Sequence, residues 1–276
     1  DPGVVPRAGP HHDDAQSQDL AATGKRILHF WLILWMPAAT FRADAGTFEK
    51  VGIPVRVGGL MGCVVGPNGR GGEALYFNFN QAGAPLFLVQ VDPDTGEARQ
   101  FNAPEGPGAW GLITGPDGKI YLGTWDGGLI LRFDPTQAQK GIEVVGRPSP
   151  SETYLWQYVV GKDGKLYACT YPNAKLVSYD PATGKMEDLG RMHPTEMYSR
   201  SVAVGPNGKV YVGIGTEKGD LVVFDPATRT HRSILPEKLR SAPGAISVGV
   251  SRRSDGQVYA ATSAGLLRIE DETLAR

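Results

Sequence analysis

The chain has 276 residues, with 28 Lys and Arg against 29 Asp and Glu and a formal net charge of −1. That balance leaves no excess of either sign to recruit nucleic acid or an anionic membrane, and both are excluded as expected partners. An apolar share of 41% is ample for a core, while 37 glycines and 21 prolines suit short strands joined by tight turns and argue against long helices.

Residues 1–24 are polar and without period and are expected to be an unstructured upstream segment. Residues 25–45 have the order of a secretory signal peptide. Lys25 and Arg26 precede the apolar run Ile27 to Ala39, which is too short to span a bilayer, and Ala43-Asp44-Ala45 supplies an A-x-A cleavage site. A buried helix is the other reading of that run, although Trp31, Trp35 and Pro37 interrupt it. Cleavage after Ala45 would leave residues 46–276 as an exported protein, periplasmic or extracellular, with no membrane segment.

From Tyr76 onward one unit recurs. It reads Gly115-Pro-Asp-Gly-Lys-Ile-Tyr121, Gly161-Lys-Asp-Gly-Lys-Leu-Tyr167, Gly205-Pro-Asn-Gly-Lys-Val-Tyr211 and Ser254-Asp-Gly-Gln-Val-Tyr259. The tyrosines at 76, 121, 167, 211 and 259 stand 45, 46, 44 and 48 residues apart, the length of a propeller blade. A second marker follows each of the first four: Asp92-Pro93, Asp134-Pro135, Asp180-Pro181 and Asp225-Pro226. Asp-Gly and Asn-Gly supply the positive φ of a tight hairpin, and Asp-Pro-x-Thr-Gly supplies a longer turn closed by a left-handed glycine. Each unit therefore holds two hairpins, or four strands.

In the third unit the strands are expected at Gln157 to Val160, Leu166 to Thr170, Lys175 to Tyr179 and Lys185 to Leu189. Strands such as Val210-Tyr-Val-Gly-Ile214 are apolar at nearly every position, as sheets covered on both faces require. The fold class is thus all-β: a β-propeller of four-stranded antiparallel blades, about five in number. The last unit is read as stopping after its third strand, near Ile269, and Thr47-Phe-Glu-Lys-Val51 as an orphan fourth strand that would join it and close a five-bladed ring. A fragment of a larger propeller is the competing reading. Cys63 and Cys169 fall two blades apart, beyond disulfide reach.

The Gly-Pro-Asp-Gly-Lys-hydrophobic-Tyr and Tyr-Asp-Pro-Ala-Thr-Gly-Lys phrases of residues 47–276 resemble the broad superfamily of bacterial propellers that includes streptogramin lyases, gluconolactonase-type proteins and quinoprotein-like repeats. The phrases are turn chemistry, so the resemblance implies an architecture and carries over no catalytic residue. Gluconolactonase-type members hold a divalent metal through carboxylate and amide side chains of the inner strands. Here, eight residues before the repeat glycines at 69, 118, 164, 208 and 256, stand Met61, Trp110, Trp156, Arg200 and Val248, none of them a carboxylate. Propeller lyases of the streptogramin, pectate and ulvan types use histidine with acidic, aromatic or basic helpers. Only His193 and His231 follow the cleavage site, so neither a metal site nor a cofactor is expected.

In propellers the connections between units and the loops between second and third strands share one rim, where a ligand usually sits. The first set offers Trp110, Tyr154, Trp156, Gln157, His193, Glu196, Tyr198 and Arg200. The second offers Phe79, Asn80, Trp125, Asp126, Tyr171, Asn173, Glu217 and Lys218. Flat aromatics stack on the apolar faces of sugar rings, and an arginine can clamp a uronic acid carboxylate with two prongs. The expected ligand is therefore a saccharide or another small molecule, with Trp110, Trp125, Trp156, Gln157, Tyr171, Asn173 and Arg200 as its binding residues. Channel plugging is the plainer role for any one aromatic. The alternative function is a lyase acting on a uronic-acid glycan, with His193, Tyr198 and Arg200 as base, acid and carboxylate clamp. A third is a protein-interaction scaffold.

Overall fold

The computed structural model describes residues 58–81, 84–240, 242 and 246–275. The upstream segment 1–24, the signal peptide 25–45 and the strand expected at Thr47–Val51 lie outside the described residues. Within them the chain forms five four-stranded antiparallel sheets, each from four consecutive strands. The first holds β1 (Gly59–Pro67), β2 (Glu73–Asn80), β3 (Phe87–Val91) and β4 (Ala98–Asn102). The second holds β5 (Ala109–Thr114), β6 (Ile120–Thr124), β7 (Ile130–Phe133) and β8 (Ile142–Gly146). The third holds β9 (Tyr154–Val160), β10 (Leu166–Tyr171), β11 (Lys175–Tyr179) and β12 (Met186–Arg191). The fourth holds β13 (Ser199–Val204), β14 (Val210–Ile214), β15 (Asp220–Asp225) and β16 (Thr230–Ser233). A single helical turn, α1 (Glu237–Arg240), leads to β17 (Gly249–Arg252), β18 (Val258–Thr262), β19 (Gly265–Glu270) and β20 (Thr273–Ala275).

The repeated phrase explains one end of every sheet. Asp117 Oδ2 accepts the hydroxyl of Tyr121 at 2.9 Å, and Asp163 with Tyr167 and Asp255 with Tyr259 repeat the bond at 2.8 and 2.7 Å. Gly118 has φ +74°, which only glycine adopts freely, and a Cβ on Gly115 would stand 2.5 Å from the Tyr121 ring. The second marker works through its aspartate, whose side chain accepts the amide two residues on. The distances are 2.9 Å at Asp92, Asp134 and Asp180 and 2.8 Å at Asp225.

The first strands lie side by side, β1 against β5, β5 against β9, β9 against β13 and β13 against β17, and so form the inside of the array. The fourth strands β4 and β16 are almost wholly exposed. Between sheets the core is continuous. Tyr76 and Leu88 pack with Ile120, Leu122 and Phe133, and Tyr121 and Ile130 with Leu155, Leu166 and Val177. Tyr167, Cys169 and Leu176 pack with Val202, Val210 and Phe224, and Tyr211 and Leu221 with Val250, Val258 and Ile269. Each such side chain fully buried contributes ~1.5–3 kcal/mol over exposure, so the tyrosines at 76, 121, 167 and 211 are structural. Cys63 lies in β1 of the first sheet and Cys169 in β10 of the third.

One expectation fails in the fifth unit. It has a fourth strand of its own, β20, in which Glu270 pairs with Thr273, Ile269 with Leu274 and Arg268 with Ala275. Its hairpin turns at Asp271 with φ +55° and lacks the Asp-Pro phrase that marks the other four. The place assigned to Thr47–Val51 is therefore occupied. Among the described residues no element of the fifth sheet packs on the first as neighbouring sheets do.

Candidate functional site

The inner strands share a defect. In β1 the pairing with β2 slips between Leu60 and Gly62, in β5 between Ala109 and Gly111, and in β13 between Ser199 and Ser201. In β9, Leu155 pairs with Thr170 and Tyr158 with Ala168, so Trp156 and Gln157 together oppose Cys169. The residues left over are Met61, Trp110, Trp156 with Gln157, and Arg200. A bulge breaks the in-out alternation and re-aims the extra side chain. Thus four of the five positions that stand eight residues before a repeat glycine are bulge positions, Val248 lying just before β17, and three of the four carry a tryptophan or an arginine.

Those side chains meet. Trp110 lies 5.0 Å from Trp125 and stacks on Trp156 at 4.9 Å between centroids. Trp156 meets Tyr198 at 5.4 Å and the edge of Tyr154 at 5.9 Å. Tyr171 closes the group, stacked on Tyr198 at 4.3 Å and tilted on Tyr154 at 4.9 Å. The Arg200 guanidinium sits 5.8 Å from the centroids of both Trp156 and Tyr198. Every member is only partly buried, so the group is a rim surface and not a core. Burial pushes the Tyr198 phenol above its ordinary pKa, with Tyr171 and Tyr154 adding to the rise and Arg200 opposing it. Tyr198 is therefore an uncharged hydroxyl at neutral pH.

No protein-family model matches the chain, and no curated protein is similar to it. Solved structures are. The chain is 14% identical to virginiamycin B lyase from Staphylococcus aureus over 80% of its own length and 70% of that chain, with a TM-score of 0.60. It is 18% identical to the extracellular domain of a one-component system protein from B. thetaiotaomicron over 70% of its own length and 25% of that chain, with a TM-score of 0.53. With a protein described as a 6-phosphogluconolactonase from Bacteroides uniformis the values are 15%, 76%, 67% and 0.52. The fold is a β-propeller.

The sheets are its blades, and the ring group spans the second, third and fourth. Its supports are specific. Trp125 lies flat on Gly108, where a Cβ would come within 2.1 Å of the indole, and its amide donates to the Gly108 carbonyl at 3.2 Å. The loop carrying Tyr171 is held by Glu152, 1% exposed. Its Oε2 accepts the Thr170 hydroxyl at 2.6 Å and the Asn173 amide at 3.0 Å. Its Oε1 accepts the Asn173 side-chain amide at 2.7 Å and the Ser151 hydroxyl at 3.0 Å. Glu152 had no signal in the sequence, since it lies outside both the repeat phrases and the bulge positions.

Of the residues expected to bind ligand, Trp110, Trp125, Trp156, Tyr171 and Arg200 come together, and Tyr154 and Tyr198 join them. Gln157 and Asn173 are committed to the fold. Gln157 Oε1 accepts the Val202 amide at 3.1 Å and so ties the third blade to the fourth. Asn173 donates its side-chain amide to Glu152 and Ser151, and its oxygen accepts from Arg191 Nη1 at 3.0 Å.

His193 is committed too. Its Nδ1 accepts the amides of Thr195 and Glu196 at 3.3 and 3.1 Å, and its Nε2 faces Asp220 Oδ2 at 3.9 Å. It shares its loop with Tyr198, but its nitrogens are turned to the backbone and to Asp220, away from the roles of a triad with Tyr198 and Arg200. Among the described residues no group of three or more His, Cys, Asp or Glu is arranged to hold a metal ion. A shallow groove on the first blade, lined by Asn68, Arg70, Gln90, Asp92 and Arg99, lies among the repeat turns at the other end of the sheet.

Proposed function

We propose that this propeller is a binding module that holds a small saccharide on the ring group of its second to fourth blades. The observation that carries the proposal is the unbroken run of half-exposed rings from Trp125 through Trp110, Trp156 and Tyr198 to Tyr171, with one guanidinium over two of them. Sugar C–H faces stack on such rings, and a run of several admits an oligosaccharide better than a single sugar. Arg200 adds a planar donor fork for a carboxylate, which favours uronic acid units over neutral ones. Binding without chemistry is the reading for this site because His193, the base that elimination from a uronide would need, has both ring nitrogens engaged elsewhere. The apolar run at 27–39 and its A-x-A sequence support export, as does the likeness to an extracellular sensor domain.

The test is a screen of the full chain against neutral and acidic oligosaccharides, following tryptophan fluorescence for binding and ultraviolet absorbance for unsaturated product. Saturable quenching by oligogalacturonate without product is the expected result. Absorbance growth would replace the binding module with a lyase, and silence in both channels across the panel would overturn the saccharide reading.

A further inference from the structure

The loop that carries Tyr198 to the ring group is closed by a histidine acting as an acceptor. His193 Nδ1 receives the amides of Thr195 and Glu196, which requires that nitrogen to be unprotonated and puts the ring proton on Nε2, toward Asp220. The rest of the loop is pinned beside the site. Glu196, 5% exposed, accepts the Glu217 amide at 2.9 Å, the Met197 amide donates to Thr216 Oγ1 at 3.2 Å, and the Met197 carbonyl accepts the Ala174 amide at 2.8 Å. Arg191 holds the carbonyls of His193 and Glu196 at 3.2 and 3.0 Å. Opposite Nε2, Asp220 is 1% exposed. Its Oδ1 accepts the Ser233 hydroxyl at 2.7 Å and its own neighbour's amide at 2.7 Å, and Arg240 Nη1 lies 3.5 Å from Oδ2.

A second proton on the ring must go to Nδ1. There it would set one donor against two backbone donors, and both bonds would be lost together. The charged groups around the ring pull in different directions. Asp220 from β15 attracts an imidazolium, Arg240 from α1 and Arg191 from the end of β12 repel one, and Glu196 on the loop itself faces Glu217. The imidazolium therefore keeps its ion partner and loses its turn, so the segment from His193 to Met197 has to rearrange, and Tyr198 follows directly in the chain.

We propose that His193 is a proton-operated latch on the ring group: neutral, it closes the loop and seats Tyr198 between Tyr171 and Trp156; charged, it releases both. The consequence for ligand rests on the saccharide reading above, but the latch itself is read without ligand. The experiment is a pH titration of the full chain carrying Trp31→Phe and Trp35→Phe, so that Trp110, Trp125 and Trp156 report alone through emission and acrylamide quenching. In the background chain, emission and quenching should change in one step as the pH is lowered. His193→Asn keeps an acceptor for the two amides and cannot titrate, so it should hold the neutral-pH spectrum throughout. A titration in His193→Asn equal to that of the background would overturn the latch. Should that variant not fold, imidazole nitrogen NMR on the unmutated chain decides: Nδ1 bare and Nε2 protonated at neutral pH is expected, and the opposite tautomer contradicts the proposal. With oligogalacturonate as probe, affinity should fall about fivefold across that step, by the loss of about one net hydrogen bond. An intact ring titration with no saccharide binding at any pH would sink the saccharide reading alone.

Discussion

The two ends of each blade are built on opposite plans. At the turn end the same chemistry is written five times with small changes: an Asp or Asn beside a positive-φ glycine, and a tyrosine whose hydroxyl returns to the turn. At the rim end the backbone device recurs, a bulge in the inner strand of the first four blades, but the side chain it presents is not fixed: Met61, Trp110, Trp156, Arg200. Repetition therefore marks what holds the blades together, and the proposed ligand site lies where side chains vary on a repeated backbone feature.

The comparison is broken most severely at the turn end. Tyr121→Ala removes a fully buried ring that packs between the second and third blades, and should cost about 3–5 kcal/mol in urea unfolding. Its effect on the ring group should follow only from unfolding. A loss under 1 kcal/mol would mean that the repeat tyrosines are not the cement described here.

Next in size is Glu152→Ala, the rim change expected to act most on stability. It strips the acceptors from Thr170 and Asn173 and should cost about 2–3 kcal/mol while displacing Tyr171. Near-ultraviolet circular dichroism should register the loss of the Tyr171–Tyr198 stack. An unchanged aromatic spectrum would show that the loop does not depend on Glu152.

Trp156→Ala sharpens the contrast from the other side. The residue is only partly buried, so stability should fall by about 2 kcal/mol, less than for Tyr121→Ala, yet the ring run is cut in the middle and oligosaccharide affinity should fall about tenfold or more. Equal losses in stability and binding would contradict the division of labour between the two ends.

The smallest expected effect concerns acid. Burial works to raise the Asp188 pKa, but hydrogen bonds from Lys175 at 2.6 Å and Ser149 at 2.7 Å outweigh it and hold the carboxyl below its ordinary value. A carboxylate so depressed contributes stability above the unfolded-state value, and that stability is lost as pH falls through the folded one. Wild type should therefore lose more stability than Asp188→Asn between about pH 5 and 3. Parallel acid unfolding curves would remove Asp188 from the account.

Much of this was legible in the sequence because turn chemistry is local. Asp117 reaches Tyr121 four residues away, and the third blade's strands stand where the phrases put them, with β9 beginning three residues early because the bulge lets Tyr154 and Leu155 pair on its far side. Trp110 and Trp156 were legible because the eight-residue spacing to the repeat glycine places them in one register, and Trp125, Tyr154, Tyr171 and Tyr198 because the repeat assigns their loops to one rim. What was not legible depends on contacts distant in the chain. Asn173 and Gln157 have the polarity of ligand groups, but Glu152, 21 residues from Asn173, and Val202, 45 from Gln157, claim them first. His193 looked like a base in a loop, and only the fold brings Asp220 to its other nitrogen. β20 was missed because its turn borrows positive φ from Asp271 and carries no glycine.

The central claim is that the rings of the second to fourth blades are where ligand binds. It is tested most directly by labelling the indole nitrogens of the full chain and titrating with oligogalacturonate. The account predicts that the resonances of Trp110, Trp125 and Trp156 shift together and saturably, and that Trp156→Ala moves the response of the other two to at least about tenfold higher oligogalacturonate. No shift at these three indoles with any acidic or neutral oligosaccharide, or a response confined to Trp31 and Trp35, would contradict it.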